Sequence, residues 1–235
     1  MTEEVSIRVN FSRPIPVFPL DHVALLPQQV LPLHIFEPRY LQMVSHALDG
    51  AGQIAMAKFQ GDSWKLTYHG NPPIRPAVCI GQIVQHEALP DGRYNILLQG
   101  VCRARVAEEH LPDEEHQYRR AILNPIGLED EPQQPAESLR EFLSENLREG
   151  PLRRLVAAEK MLELVANEEL PSPVLLEIVS FALVTDDRVR YALLAEGSVG
   201  RRAWLVRATL DDLSALIRKA EAQRADEWPK GCSWN

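Results

Sequence analysis

Apolar and polar positions follow two different patterns along this chain. From residue 5 to about 124, short apolar runs alternate with prolines and glycines, which is typical of strands joined by turns. From about 136 onward the apolar residues recur at spacings of three and four, which indicates amphipathic helices. We therefore predict a strand-rich domain over 1–124, a linker over 125–135 and an α-helical bundle over 136–235.

One hairpin stands out in the first half. Residues 82–87 and 93–106 are predicted strands, and Pro90-Asp91-Gly92 lies between them as a turn in which glycine can supply a positive φ. Apolar and polar residues alternate along 94–106, which indicates a sheet with one buried face and one solvent-exposed face. Residues 118–123 are predicted to form a neighbouring strand.

A helix is predicted to interrupt the strands at Glu37-Pro38. Proline is tolerated in the first helical turn, and an acidic residue there favours the positive end of the helix dipole. A helix start with an ion pair of Glu37 or of Arg39 would explain the local sequence without any ligand. Tyr40, Leu41, Val44 and Leu48 would form the apolar face of this helix.

Four or five helices are predicted in the second half, and their boundaries carry recognisable signals. Ser172 before Pro173 is predicted to be an N-cap, and Gly150-Pro151 and Gly197-Ser198 are predicted to separate helices. The predicted helices cover 136–148, 152–168, 173–184, 187–195 and 199–226. Beyond them, Trp228 and Trp234 are predicted to pack back onto the bundle.

Two ordered blocks of the chain resemble the N-terminal domain of Lon protease. The first block is Pro16-Val17-Phe18-Pro19-Leu20, Leu26-Pro27, Leu31-Pro32-Leu33 and Ile35-Phe36-Glu37-Pro38-Arg39-Tyr40, with Met43 after it. The second is Gly81-Gln82-Ile83-Val84, Leu89-Pro90-Asp91-Gly92-Arg93, Gln99-Gly100 and Arg103-Ala104-Arg105. A looser likeness continues through Asp186-Asp187-Arg188, Ala192-Leu193-Leu194 and Arg201-Arg202, so the resemblance covers about 14–220. It departs at Gln28-Gln29, where that family often has glycine, and this leaves the local turn open.

The resemblance implies an α+β fold and a recognition function. The implied fold is a PUA-like, partly open β-barrel or sheet domain with one helix, followed by the α-helical bundle. A complete Lon protease also carries an ATPase and a serine–lysine peptidase, but no G-x-x-x-x-G-K-[ST] string occurs here. The resemblance thus implies a non-catalytic protein that binds polypeptide segments or a partner protein, without a cofactor.

The candidate binding residues lie in one short stretch. They are His34, Phe36, Glu37, Arg39 and Tyr40, beside a strand edge that could accept an extended chain. Phe36 could equally be buried in the core, and the other residues of the motif have a structural explanation as a helix start. The sequence does not locate the groove.

Nucleic-acid binding is the alternative, because a PUA-like fold admits it. Residues 108–149 hold twelve acidic residues and four arginines, so this segment carries the whole formal net charge of −8. An acidic balance opposes binding to phosphate backbones. Arg93, Arg103, Arg105, Arg119 and Arg120 could still gather on one side of the sheet.

Sequence motifs and cysteine usage narrow the remaining functional classes. We expect no catalytic residue and no metal ligand, because the seven histidines form no H-E-x-x-H pair and Gly197-Ser198-Val199-Gly200 is not in the G-x-S-x-G register. Cys79, Cys102 and Cys232 are expected to be reduced thiols, with the first two in the core. Neither a secretory signal nor a membrane helix is expected, so we expect a cytoplasmic protein without a membrane partner. The oligomeric state stays open.

Overall fold

The computed structural model describes residues 7–21, 23–62, 64–68, 70–127 and 132–223, and these form a mixed α+β fold. They divide into two compact units: residues 1–130 with 185–198, and residues 131–184 with 199–235. The first unit contains the strands and the second is helical. The tail with Trp228, Trp234 and Cys232 lies outside the described residues.

Six strands in the described residues form one sheet, in the order β2-β5-β4-β3-β1-β6. Only the β1–β3 pairing is parallel among the pairings within this part of the chain. Because β6 also pairs with β5, the strands β5, β4, β3, β1 and β6 close a ring, whereas the resemblance implies a partly open β-barrel or sheet. The strands are β1 Ile15–Leu20, β2 Val30–Ile35, β3 Gln53–Lys58, β4 Ala77–Ala88, β5 Tyr94–His110 and β6 Arg119–Pro125.

The interior of the ring is filled by small and branched side chains. Alanines on β3, β5 and β6 let the strands approach across the interior, since a small ring has little room for large side chains. Val17, Ile80 and Leu123 are each at most 1% exposed. The full cluster is Ile15, Val17, Ala55, Ala57, Val78, Ile80, Ala104, Ala121 and Leu123.

The predicted hairpin is confirmed. β4 and β5 pair antiparallel up to Ala88 opposite Tyr94, and Gly92 has a φ of 83°. The N–H of Leu89 donates to the carbonyl of Arg93 at 2.8 Å, and the N–H of Gly92 donates to that of Leu89 at 2.9 Å. The predicted strand over 118–123 is also present as β6, where it pairs with both β1 and β5.

Most helices begin close to their predicted starts. The short helix α2, Trp64–Thr67, was not predicted, since the sequence predicts a single helix among the strands. Two further differences lie in the second half. The segment predicted as one helix over 152–168 is broken, because Leu155 has extended backbone dihedrals that interrupt the helical hydrogen bonds. Ser172 is the first helical residue and Pro171 is the N-cap, so the predicted serine cap is wrong. The helices are α1 Pro38–Leu48, α2 Trp64–Thr67, α3 Gln134–Arg148, α4 Ala158–Ala166, α5 Ser172–Ala182, α6 Asp187–Ala195 and α7 Val199–Ala222, with a 3₁₀ turn at Pro151–Arg154.

Helix α6 groups with the strands, although its sequence position is among the other helices. Asp186 caps it by accepting from the N–H groups of Arg188 and Val189. The Tyr191 hydroxyl accepts from Ala77 N–H at 2.9 Å, and Arg103 Nε donates to the Leu193 carbonyl at 2.9 Å. Arg103 is therefore buried, whereas the alternation along β5 predicts that it faces water.

Cys79 and Cys102 are free thiols, and both belong to the strand unit. Cys79 is fully buried, and half-buried Cys102 packs against the ring interior. Burial raises the pKa of the Cys102 thiol to about 11.

We expect Cys102 to react slowly with iodoacetamide at pH 8. The thiolate is the nucleophile, and an ordinary cysteine with a pKa near ~8.5 holds roughly two orders of magnitude more thiolate at that pH. Mass-spectrometric labelling of the folded protein should show about 100-fold slower alkylation than the same cysteine in urea. The folded rate should rise about tenfold per pH unit above 8; a rate in the folded protein equal to that in urea would contradict the burial.

Candidate functional site

The Glu37-Pro38-Arg39-Tyr40 motif builds the start of α1 and a half-buried ionic contact. Pro38 occupies the first turn, and the Glu37 carboxylate accepts from Arg39 Nη2 at 2.9 Å and from the Tyr68 hydroxyl. The guanidinium of Arg39 lies over two rings, 4.5 Å from the centroid of Tyr40 and 4.8 Å from that of Tyr68. The predicted ion pair of Glu37 or Arg39 is confirmed, and the structure shows that these two residues pair with each other.

Tyr40 belongs to the core. Its ring is 4% exposed and lies 4.4 Å from the ring of Phe18. Burial raises the pKa of Tyr40, and burial together with the Glu37 carboxylate raises that of Tyr68. Both phenols are consequently neutral donors at physiological pH. Tyr40 thus packs α1 against β1, and Glu37 and Arg39 connect the start of α1 to Tyr68.

His34 and Phe36 lie on the surface instead. Phe36 is 60% exposed, so of its two predicted environments the structure gives the surface one. Its ring stacks beside that of His34 with centroids 6.1 Å apart. The five candidate residues therefore separate into a packed set at the helix start and an exposed pair at the end of β2.

The exposed pair marks one face of a three-stranded sheet that extends from the ring. β2 pairs with the first half of β5, and the end of β4 pairs with the same stretch of β5 on its other side. Leu33 and Ile96 are opposite each other on the inner face, where Ile96 is 2% exposed. Pro32 lies opposite Leu97 and His34 opposite Asn95, and these four residues point to the outer face.

This outer face carries a groove of about 340 Å³, lined by Pro32, His34, Gln85, Glu87 and Leu97 among others. A second depression of about 510 Å³ is lined by Gln28, Val84 and Gln99 among others. Gln99 is the next residue of β5 after Leu97 that points to the same face. Val30 is 48% exposed and Val84 is 49% exposed. We call the surface formed by residues 30, 32, 34, 84, 85, 87, 95, 97 and 99, together with Phe36, the outer face.

A row of polar side chains crosses the outer face beside its apolar centre. His34 Nδ1 is 2.8 Å from Asn95 Oδ1, and Asn95 Nδ2 donates to Glu87 Oε2 at 3.1 Å. Arg93, which pairs with Asp91, lies 3.3 Å from the other ring nitrogen of His34. The row fixes the amide and imidazole, so the face presents ordered polar groups next to apolar ones, as binding surfaces do.

The free edge of β2 is a poor template for another strand. Val30 lies opposite Gln99, and Gly100 N–H donates to the Gln29 carbonyl at 2.8 Å. In this register Leu31, Leu33 and Ile35 bond to β5, while Val30, Pro32 and His34 direct their backbone groups away from it. Since Pro32 has no N–H, the edge lacks its central donor. Side-chain contacts on the outer face are therefore better suited to binding than strand addition.

The turn before β2 resolves the departure at Gln28. Gln29 N–H donates to the Leu26 carbonyl at 3.2 Å, Pro27 is the second residue of this turn, and Gln28 has a φ of 68°. These are the features of a type II turn, in which glycine is usual at the third position. Gln28 adopts the conformation without being glycine, and the Gln29 side chain accepts from Leu26 N–H at 3.1 Å.

The sequence did not identify the residues that β4 and β5 contribute to the outer face. No distinctive sequence motif contains Gln85, Glu87, Asn95 or Leu97. Only the strand register puts them in line with Pro32 and His34. The signal that could have found them is the predicted hairpin, extended by pairing β2 to its free side.

The arginines that could have formed a basic patch are used within the strand unit. Arg103 and Arg119 are each 5% exposed; Arg119 pairs with Glu109 at 2.9 Å and donates to the Pro72 carbonyl. Arg120 pairs with Asp113 at 2.6 Å. Only Arg105 of the five is left exposed without such a contact among the described residues.

Within the described ranges, no group of three or more histidine, cysteine or acidic side chains is placed to hold a metal ion. No helix in that part of the chain is long and apolar enough to cross a membrane.

Comparison with known proteins gives a family and a fold. The model of the ATP-dependent protease La (LON) substrate-binding domain matches residues 14–212. Among solved structures, the N-terminal domain of Mycobacterium avium complex Lon protease is similar at 16% identity and a TM-score of 0.65, over 85% of this chain and 99% of that one. The Lon N-terminal domain protein from Xanthomonas campestris is similar at 20% identity and a TM-score of 0.59, over 83% of this chain and 98% of that one. No curated protein matches the chain.

Proposed function

The chain belongs to the family of LON substrate-binding domains, and from this premise we propose that it is a non-catalytic protein that recognises polypeptide segments or a partner protein. The observation that carries the proposal is the outer face, where exposed Val30 and Phe36 lie beside an ordered polar row. A polypeptide offers the matching chemistry, since it presents apolar side chains together with backbone donors and acceptors.

The binding residues in this proposal differ from the original candidates. His34 and Phe36 contact the bound chain, together with Val30, Pro32 and Leu97. Glu37, Arg39 and Tyr40 act only by holding α1, because their side chains contact one another, Phe18 and Tyr68. Apolar contacts dominate, so binding should depend weakly on salt.

Architecture and location belong to the same proposal. We take the strand unit to be a PUA-like, barrel-like recognition domain and the helical unit to be an α-helical bundle. A reducing compartment such as the cytoplasm suits the free thiols Cys79 and Cys102. Nucleic acid is not favoured as a partner, since Arg103, Arg119 and Arg120 are engaged within the unit.

The proposal predicts that polar substitutions on the outer face weaken polypeptide binding. The variant Val30→Thr/Phe36→Ser keeps the backbone register but removes two exposed apolar side chains, each worth on the order of 1–2 kcal/mol when buried by a ligand. We expect its affinity for labelled unfolded casein, measured by fluorescence anisotropy at low salt, to fall at least about tenfold.

Leu111→Thr is the matched control. Leu111 is 54% exposed in the same unit but does not line the outer face, so its loss should leave binding unchanged. Equal affinities of the wild type and the double variant would place binding elsewhere. Absence of wild-type binding to casein and to a diverse peptide library would reject polypeptide recognition itself.

A further inference from the structure

A second cavity in the strand unit shares no lining residue with the outer face. It has a volume of about 500 Å³ and is formed by the start of β1, the end of α1 and the start of β6. This volume is in the range of small-molecule sites. Its polar lining includes Arg13, His46, His116, Tyr118 and Arg120, and none of its described lining residues is acidic.

Three rings on one side of the cavity hold each other in place. The ring centroids of His46, His116 and Tyr118 lie 5.6 to 5.7 Å apart in edge-to-face pairs. His46 Nδ1 is 2.9 Å from the Tyr118 hydroxyl, and Tyr118 is 3% exposed. The two imidazoles are therefore positioned by packing and not by a bound ligand, which makes this wall preorganised.

The two arginines of the cavity retain donors for a ligand. Arg120 donates from Nη2 to Asp113 at 2.6 Å, but its buried Nε has no acceptor in the described part of the chain. Arg13 is exposed and forms no ion pair with any described residue. The Asp113 carboxylate also accepts from the backbone N–H of His116 at 2.7 Å, and Asp113 does not line the cavity.

We propose that this cavity binds a small molecule that carries a phosphate or carboxylate group. Guanidinium groups recognise both oxyanions through charge-assisted hydrogen bonds. The imidazoles of His46 and His116 add polar contacts, and Pro14, Ile15 and Ala47 provide an apolar wall for the rest of the molecule. The proposal is independent of polypeptide recognition, because the two sites have no residue in common.

The test is isothermal titration calorimetry of the full chain with pyrophosphate and, separately, with citrate, at roughly 50 mM salt so that exposed charges are little screened. We expect at least one probe to bind with a dissociation constant of about 1 mM or tighter. Arg13→Gln and Arg120→Gln should each weaken binding about tenfold, the effect of losing one charge-assisted hydrogen bond. Arg148→Gln, which removes the same charge from exposed Arg148 on α3, should change nothing.

The outcomes distinguish a phosphate ligand from a carboxylate ligand, and both from results that reject the site. Preference for pyrophosphate indicates a phosphate ligand, and preference for citrate indicates a carboxylate; in either case the backbone amides of Gly50 and Ala51, which line the cavity, should shift in NMR spectra. The proposal is overturned if neither probe binds, if Arg148→Gln weakens binding as much, or if only an RNA oligomer binds. Because Arg13 is exposed, its variant remains informative even if Arg120→Gln fails to fold.

Discussion

Replacing Gly100 by alanine is expected to lower the free energy of unfolding of the strand unit by about 3 kcal/mol or more. Gly100 lies on β5 beneath the turn at Pro27-Gln28, and a Cβ added there would lie 2.1 Å from the Leu26 carbonyl oxygen and 3.2 Å from Cys79 Sγ. The first atom is backbone, so no side-chain rotation can make room. The turn and its hydrogen bonds to Gly100 would have to move.

Hydrogen exchange of the β4 and β5 amides measures this loss locally, which matters because the helical unit need not unfold with the strands. Gly50→Ala is the control, since its Cβ would meet only the carbonyl oxygens of His46 and Ala47 at the ordinary distances of 3.5 and 3.6 Å. It should change the exchange free energies by less than about 0.5 kcal/mol. If both variants exchange alike, the close approach of Leu26 to Gly100 is not present in solution.

Replacing Arg140 by methionine is expected to destabilise the helical unit by about 2–4 kcal/mol. One guanidinium on α3 donates to the Ser172 hydroxyl at 3.0 Å and to the carbonyls of Val165, Asn167 and Leu170. These acceptors lie at the end of α4, in the connection that follows it and at the first residue of α5. Methionine keeps the apolar stem but leaves the half-buried carbonyls without donors.

Arg140→Lys should recover only part of that loss, because an ammonium group cannot span the four acceptors as a planar guanidinium does. Arg148→Met on the same helix is the control, since Arg148 is exposed and should matter by less than about 0.5 kcal/mol. Exchange of the α3 and α5 amides reports the difference. Equal protection in Arg140→Met and Arg148→Met would show that Arg140 does not hold the connection.

Local signals predicted much of the secondary structure. The Pro90-Asp91-Gly92 turn and the alternation beside it located β4 and β5, and Pro38 located the start of α1. These features act over a few residues, so they can be recognised in the sequence. Ser172 shows where local signals fail. Serine is a common N-cap residue, but the Ser172 hydroxyl accepts from Arg140, which is distant in sequence.

Burial was harder to predict where another element covers a strand face that is expected to be exposed to solvent. Arg103 alternates with buried residues on β5 and is predicted to be exposed, yet its Nε donates to Leu193 on α6. Phe36 could equally have been core, and nothing in its neighbours decides the matter. In both cases the environment depends on elements far away in the chain.

The chain's own sequence determined the family, the division into strand-forming and helix-forming segments, and the helix start at Glu37-Pro38, because these follow from local residue patterns. The tertiary structure decided that β5 and β6 close the ring, that α6 packs with the strands, and that the outer face combines β2 with β4 and β5. It also brought Arg13, His46 and Arg120 around one cavity. These arrangements depend on register and long-range packing, which no short segment encodes by itself.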